Sequence, residues 1–340
     1  MRLLEVKDLK TYFTTSKGKA KAVDGVSFSL DYGQCLGLVG ESGCGKTTTA
    51  LSICHLLPKE GKVESGQILM EDIDYGTLSE EEIMKHRWED VSIIFQGAMN
   101  AFNPVKKVGW QIAEACILHQ GMSKEEAWKR AGDLFEMVGI ARERVSQYPH
   151  EFSGGMRQRV VIAIAVACRP QILICDEPTT ALDVTIQAQI LELIRNLQAE
   201  YHMSVIYITH DLGVVANVAD RVAVMYAGQI VEVGKVDEIF YDARHPYTWA
   251  LLSALPQLGV KGEALPTIDG TPPNLFNKIK GDAFAPRNRQ ALAIDFEEEP
   301  PYFEVSETHK AKTWYLDPRA PKIEPPKSVQ QLRQKMRAHK

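Results

Sequence analysis

Apolar residues along this chain fall into short runs of two kinds, separated by glycine-rich or charged stretches. Some runs alternate or are briefly continuous, as strands are. These are Leu3 to Leu9, Ala22 to Leu30, Gln34 to Val39, Val91 to Gln96, Ile172 to Cys175 and Val205 to Ile208. Val222 to Met225 and Ile230 to Val233 predict a hairpin around Ala227-Gly228. Other runs repeat at helical spacing: Val108 to His119, Lys124 to Val138, Val160 to Cys168 and Asp183 to Tyr201. In the last of these, Ile186, Ile190, Leu193, Ile194 and Leu197 share one face. Ser123, followed by Lys124-Glu125-Glu126, supplies an N-cap with acids in the first turn. Apolar strands alternating with helices predict an α/β fold with a largely parallel sheet covered on both faces. A helical insert, from about Asn103 to Val145, separates two strand-rich regions. After about Ala254 the regular pattern fades and prolines cluster, which predicts a small irregular appended domain.

Size and charge narrow the classes. The 340 residues suggest about two domains. Apolar content of 45% with 24% charged residues suits a globular protein able to bury a large core. The net charge of −5 points to no nucleic acid partner, and Arg333 to Lys340 reads as a frayed tail. No apolar run approaches the roughly 18 to 20 residues that span a bilayer. The N-terminus carries charges where a signal peptide needs its apolar stretch. All six cysteines lie at or before Cys175, with no C-x-x-C pair, and read as small hydrophobes in a reducing compartment. Any connection with a membrane is therefore expected through a partner.

The candidate chemistry begins at residues 40 to 47, Gly-Glu-Ser-Gly-Cys-Gly-Lys-Thr, which fit the phosphate-cradling pattern G-x-x-x-x-G-K-[ST]. The context agrees: an apolar strand precedes it, and Thr47-Thr48-Thr49-Ala50-Leu51-Ser52-Ile53-Cys54 can continue as a helix. Glycines 40, 43 and 45 let the backbone turn tightly and aim N–H groups at phosphate oxygens, at a helix N-terminus that favours anions. Lys46 then reaches the β- and γ-phosphates, and Thr47 holds Mg²⁺. The strand Ile172 to Cys175 ends in Asp176-Glu177. At the carboxyl edge of a parallel sheet, Asp176 suits the Mg²⁺ shell and Glu177 suits orienting or deprotonating an attacking water. Two further strands end in polar residues: Gln96, placed to sense Mg²⁺ or water, and His210, near the expected γ-phosphate. A second Gly-containing helix start, Ser153-Gly154-Gly155, has no phosphate of its own to serve. That predicts a nucleotide held by another chain, with two such subunits closing on ATP between them.

The order of Gly40-to-Thr47, Gln96, Phe152-Ser153-Gly154-Gly155-Met156, Asp176-Glu177, Ala181-Leu182-Asp183 and His210 resembles the ATPase subunits of ABC transporters over about residues 1–255. The resemblance implies an ABC cassette with a helical subdomain at about 97–158, an antiparallel strand subdomain and a C-terminal extension at 256–340. It assigns the nucleotide to Gly40, Glu41, Ser42, Gly43, Cys44, Gly45, Lys46, Thr47 and Thr48, and to Ser153, Gly154 and Gly155. Catalysis falls to Glu177, His210 and Gln96, and Mg²⁺ to Thr47, Gln96 and Asp176. Phe13, or else Tyr12, matches the aromatic that stacks on adenine. Met156 departs from the usual signature Gln.

Arg244-His245-Pro246-Tyr247-Thr248, Gly270-Thr271-Pro272-Pro273 and Asp317-Pro318-Arg319-Ala320-Pro321 are similar to the C-terminal region of oligopeptide and dipeptide importer ATPases. The implied partners are a second, related ATPase subunit, two membrane permease subunits and, indirectly, an extracytoplasmic peptide-binding protein, at the cytoplasmic face of a membrane. Many such relatives carry tail cysteines that ligate an iron–sulfur cluster. Here Asp282, Asn288 and Thr313 stand in those places; a cluster needs thiolates, so none is expected. The rival readings are a nickel or other metal-chelate importer ATPase, which shares this tail, a sugar-importer ATPase, disfavoured by His-Pro-Tyr-Thr, and a soluble ABC ATPase.

Overall fold

The computed structural model describes residues 2–98, 101–180, 182–255 and 267–338, without the side chains from 335 onward. In chain order come β1 (Arg2–Thr15), β2 (Gly18–Asp31), β3 (Cys35–Val39), α1 (Lys46–Ile53), β4 (Gly61–Met70), β5 (Ile73–Asp74), α2 (Glu80–His86) and β6 (Val91–Ile94). There follow α3 (Val108–Gln120), α4 (Lys124–Met137), α5 (Gly154–Ala165), β7 (Ile172–Asp176), α6 (Val184–Tyr201), β8 (Ser204–Thr209) and α7 (Leu212–Val218). The chain ends with β9 (Arg221–Tyr226), β10 (Gln229–Lys235), α8 (Val236–Asp242), α9 (Pro246–Ser253), β11 (Tyr302–Glu304), β12 (Lys310–Lys312) and α10 (Lys327–Ala338). These elements gather into two compact units that interleave along the chain.

One unit comprises Met1–Leu3, Leu30–Cys35 and Thr77–Ile208. Its strands are parallel: β6 pairs with β7 from Val91↔Ile172 to Ile94↔Cys175, and β7 with β8 from Ile172↔Ser204 to Asp176↔Ile208. Every residue of β7 is buried, which explains its continuous apolar run. The helical insert forms as its periodicity predicts. Ser123 and Glu126 close a capping box on α4, and Ala127, Ala131, Leu134 and Phe135 make its buried stripe. α3 packs on that stripe with Ile112, Ala113 and Cys116, and the small alanines let the two helices approach.

The other unit comprises Leu4–Ser29, Leu36–Gly76 and Thr209–Lys340. Its antiparallel sheet has the order β2-β1-β4-β5, with Leu4↔Met70 and Phe13↔Gly61 in register across β1 and β4. A second set of strands has the order β11-β12-β10-β9-β3. Here β3 runs parallel to β9, and β9 turns back on β10 through Ala227 (φ 48°) and Gly228 (φ 83°), the two left-handed residues of a tight hairpin. Beside this set lies a core of Val222, Val224, Tyr226, Phe240, Tyr247, Trp249, Leu252, Phe284 and Val329.

The C-terminal region is more regular than its prolines suggest. The hairpin β11–β12 adds to β10 through Glu232↔Ala311 and Val233↔Lys310. Where Arg333 to Lys340 read as frayed, the backbone is helical to Ala338 and Arg333 donates to the Ala243 carbonyl; just before, α10 buries Val329 fully and rests Leu332 on the core. Polar residues dominate this helix, so its one apolar stripe is hidden in the composition. Periodicity also leaves out β4 and α2; half of β4 is exposed, so it carries no regular apolar alternation.

Candidate functional site

The loop Gly40 to Gly45 joins β3 to α1, and its shape is imposed by close backbone contacts. A Cβ on Gly40 would stand 2.1 Å from the Met225 carbonyl, and one on Gly45 (φ +106°) 2.3 Å from the Ala22 carbonyl. Only glycine lets the chain pass there. The loop is also tied from behind, because the Gly228 N–H donates to the Cys44 carbonyl at 2.9 Å. Gly45 caps α1 with no side-chain acceptor, so the first N–H groups of the helix keep the anion-binding character of an uncapped N-terminus. Lys46 is 5% exposed, and its Nζ donates to Gly40 O at 2.7 Å and Glu41 O at 2.9 Å. Cys44 Sγ lies 3.6 Å from that ammonium; burial pushes its thiol pKa up against the pull of Lys46 and keeps it neutral. Ser42, Gly43 and Thr47 are exposed and Thr48 is half-buried. This is a cradle with a cation at its base and donors at its rim, which fits a polyphosphate with its Mg²⁺.

Two contacts on the loop were not foreseen from the sequence. The Glu41 carboxylate is held by Arg287, and the Glu41 N–H by the Tyr247 hydroxyl at 2.8 Å. Tyr247 belongs to the His-Pro-Tyr-Thr segment, where His245 Nδ1 accepts from the Tyr247 N–H at 3.1 Å and starts α9. Its tyrosine, however, reaches the phosphate loop. Nothing in a single sequence signals a partner 206 residues away.

On β1, the Tyr12 hydroxyl donates to Asp24 at 2.5 Å, and the Lys19 and Lys21 ammonium groups lie 5.5 and 5.4 Å from the ring centre. Burial, then Asp24, raises the Tyr12 phenol pKa. Phe13 is half-buried against Gly61, where an added Cβ would come within 2.9 Å of the ring. His210 follows Thr209 and is exposed. The next residue, Asp211, caps α7 through Gly213 at 2.7 Å.

In the unit that carries β7, Asp176 is 1% exposed at the strand's end. Glu177 follows in the left-handed region (φ +47°), its N–H bonded to Ile208 O at 3.0 Å. That unusual backbone turns the carboxylate out of the strand. Gln96, beyond β6, donates its Nε2 to Glu177 Oε2 at 2.9 Å, and Thr180 Oγ1 donates to the same oxygen at 3.0 Å. Gln96 and Glu177 are 81 residues apart in sequence and meet because their parallel strands are neighbours. With its nitrogen given to Glu177, the Gln96 amide offers its oxygen as the atom able to ligate a cation.

Ser153 N-caps α5, its Oγ accepting from Met156 N at 3.4 Å, with Gly154 and Gly155 in the first turn. Phe152 anchors this start in the helical insert, edge-on to Phe135 at 6.1 Å, with the Arg144 guanidinium 4.8 Å from its ring centre. Asp183 caps α6 through Ile186 N at 2.9 Å; Ala181, predicted beside it, lies outside the described residues.

In the C-terminal region, the three positions discussed for cysteine make hydrogen bonds instead. Asp282 accepts from Phe284 N at 2.9 Å, Asn288 donates to the Tyr315 hydroxyl at 2.7 Å, and Thr313 accepts from Tyr315 N at 3.3 Å. Burial pushes the Asp282 carboxyl up to about 6. Among the described residues, no group of three or more His, Cys, Asp or Glu is arranged to hold a metal ion, and no helix is long and apolar enough to cross a membrane.

Fold and cradle together define a P-loop ATPase of the ABC cassette type. Similar solved structures agree: a dimeric post-hydrolysis state of the ATP-binding cassette MJ0796 bound to ADP and Pi matches at TM-score 0.62 with 27% identity, covering 68% of this chain and 98% of that one. CbiO1 of Clostridium perfringens, part of the ABC transporter complex cbiONQ, matches at TM-score 0.61 with 27% identity, over 71% of this chain and 91% of that one. The ABC transporter family model matches residues 23–180, and the model for the oligopeptide/dipeptide transporter C-terminal region matches residues 231–294. Among curated relatives, the oligopeptide transport ATP-binding protein OppD of Bacillus subtilis is 58% identical, over 98% of this chain and 95% of its own. The dipeptide transport ATP-binding protein DppD of Lactococcus lactis is 54% identical, over 96% and 95%. The chain belongs to the family of oligopeptide and dipeptide transport ATP-binding proteins of ABC transporters.

Proposed function

We propose that this protein binds and hydrolyses ATP to power import of oligopeptides or dipeptides through an ABC transporter. The observation that carries this reading is near-full-length identity of 58% and 54% to oligopeptide and dipeptide transport ATP-binding proteins, cassette and C-terminal region included. The same relatives weigh against a metal-chelate importer and a soluble ABC ATPase. In this reading Lys46 neutralises the β- and γ-phosphates, and the loop residues 40–48 wrap them with backbone N–H groups. Thr47, Asp176 and the Gln96 oxygen would hold Mg²⁺, which would supply positive charge against that of the phosphates. Glu177, held by Gln96 and Thr180, takes the proton of the attacking water, and His210 stabilises the γ-phosphate. Tyr12 is committed to Asp24, so Phe13 is the aromatic assigned to adenine.

The partners follow from the same reading: two permease subunits, a related second ATPase, and indirectly a peptide-binding protein, with this chain peripheral on the cytoplasmic face. Uptake of a labelled peptide in a strain lacking this gene is expected to fall to background and return on complementation. Intact peptide uptake with lost nickel-chelate uptake would instead favour the metal-importer reading.

Ser153, Gly154 and Gly155 act on the nucleotide of the facing subunit, as fits a family whose similar cassette is dimeric with ADP and Pi. Binding two ATPs then draws the cassettes together and hydrolysis releases them, which moves the attached permeases. In an assembly where this chain carries Ser153→Arg and its partner is intact, hydrolysis is expected to drop at the partner's phosphate loop while nucleotide remains at Lys46. Loss confined to this chain's own Lys46 site would rule out the trans arrangement.

A further inference from the structure

The phosphate loop is fastened to the C-terminal region at Glu41, and it is fastened twice. The Arg287 guanidinium takes the Glu41 carboxylate as a fork, Nη1 to Oε2 at 2.5 Å and Nη2 to Oε1 at 3.0 Å. The Glu41 N–H donates to the Tyr247 hydroxyl at 2.8 Å. These contacts are part-buried: the Arg287 side chain is 5% exposed and the Glu41 side chain 27%, while Tyr247 is fully buried. A two-point Arg–carboxylate bond has fixed geometry as well as strength, and the Glu41 carboxylate raises the Arg287 pKa accordingly.

Arg287 is itself held in place. Its Nε donates to Asp269 O at 2.7 Å, its Nη1 reaches the Tyr226 hydroxyl at 3.1 Å, and it lies 5.9 Å from the Phe284 ring centre. Beyond Glu41 the connection continues, because the Glu41 carbonyl accepts from Lys46 Nζ at 2.9 Å and from Cys44 N at 3.3 Å. A line of bonds thus runs from the C-terminal region through one carboxylate to the cation and backbone of the cradle.

A glycine-rich loop loses much conformational freedom when it closes on phosphate, and a loop held in that shape beforehand binds more tightly. We propose that Arg287 is a positioning residue for the nucleotide: through Glu41, the C-terminal region sets the shape of the phosphate loop and so its affinity for ATP. This rests on the reading of the Lys46 loop as the nucleotide site. Arg287 shares the task with Gly228 behind Cys44, so its removal weakens binding without abolishing it.

The test uses the purified full chain and equilibrium titration with a fluorescent ATP analogue, with melting recorded without nucleotide. Arg287→Ala is expected to raise the Kd about tenfold, the effect of losing one well-made charged contact. Arg287→Lys, which keeps charge but loses the fork, is expected to recover part of that. Glu41→Ala is expected to match Arg287→Ala, and the double variant to be no weaker than either single, since both break one connection. A Kd within about twofold of the parent in folded Arg287→Ala overturns the proposal, as do single effects that multiply in the double variant. If Arg287→Ala does not fold, parental affinity in Arg287→Lys overturns it equally. Lys46→Ala serves as the control. If it loses ATP while the Arg287 variants bind as the parent does, Arg287 alone is misassigned; if it binds as the parent does, the nucleotide reading falls and this proposal with it.

Discussion

Glu177→Gln is expected to leave ATP bound and stop its turnover. A positioned general base contributes about 10²- to 10⁴-fold, and the assembled transporter should lose a factor in that range while its ATP affinity stays within about twofold. The substitution is nearly isosteric. Glutamine keeps an oxygen that can accept from Gln96 Nε2 and Thr180 Oγ1, the two donors now on Glu177 Oε2 at 2.9 and 3.0 Å. The left-handed turn at residue 177 is set by the N–H bond to Ile208 O, which a side-chain change does not touch. What glutamine cannot do is take a proton from water. Phosphate release and ATP binding measured on the same assembly separate the two effects, and hydrolysis at the parental rate would remove Glu177 from the catalytic role.

Lys46→Ala should act on the opposite step. Its ammonium sits at the base of the cradle, 5% exposed, bonded to Gly40 O and Glu41 O. A triphosphate offers it oxygens of opposite charge in place of neutral carbonyls. Each hydrogen bond to a charged group contributes about 1.5–3 kcal/mol, so losing two of them raises the ATP Kd by about 100-fold or more. The fold should survive, since the loop keeps its bond from Gly228 to Cys44 and α1 keeps its buried face. Calorimetric titration with ATP, beside a melting curve, checks both parts. Parental ATP affinity in folded Lys46→Ala would overturn the reading of this loop as the nucleotide site.

The two residues are legible in different ways. Lys46 sits in a pattern confined to eight consecutive residues, and the glycines at its ends have steric reasons that belong to the loop's own path past Ala22 and Met225. Glu177 could be placed at a strand end from its apolar approach, yet its pairing with Gln96 depends on β6 and β7 lying side by side. The helical insert was equally legible, because Ala127, Ala131, Leu134 and Phe135 recur at the spacing of a buried helix face. The tail was not. α10 is polar over most of its length, and among the described side chains its apolar contacts with the core are Val329 and Leu332, too short a stripe to register as a period.

By itself, the sequence determined what local chemistry dictates: a phosphate loop between strand and helix, strands ending in Gln96, Asp176-Glu177 and His210, a capped helix at Ser123, a helix start at Ser153, and a C-terminal region of a recognisable kind. Each is encoded within a few residues, where periodicity, capping and steric need are read directly. Tertiary structure alone decided which distant groups meet. Arg287 finds Glu41 across 246 residues and Tyr247 finds it across 206, because buried donors and acceptors must be paired wherever the chain brings them together. That pairing depends on the packing of Tyr226, Tyr247 and Phe284 into one aromatic core, a property of three dimensions that no stretch of the chain carries alone.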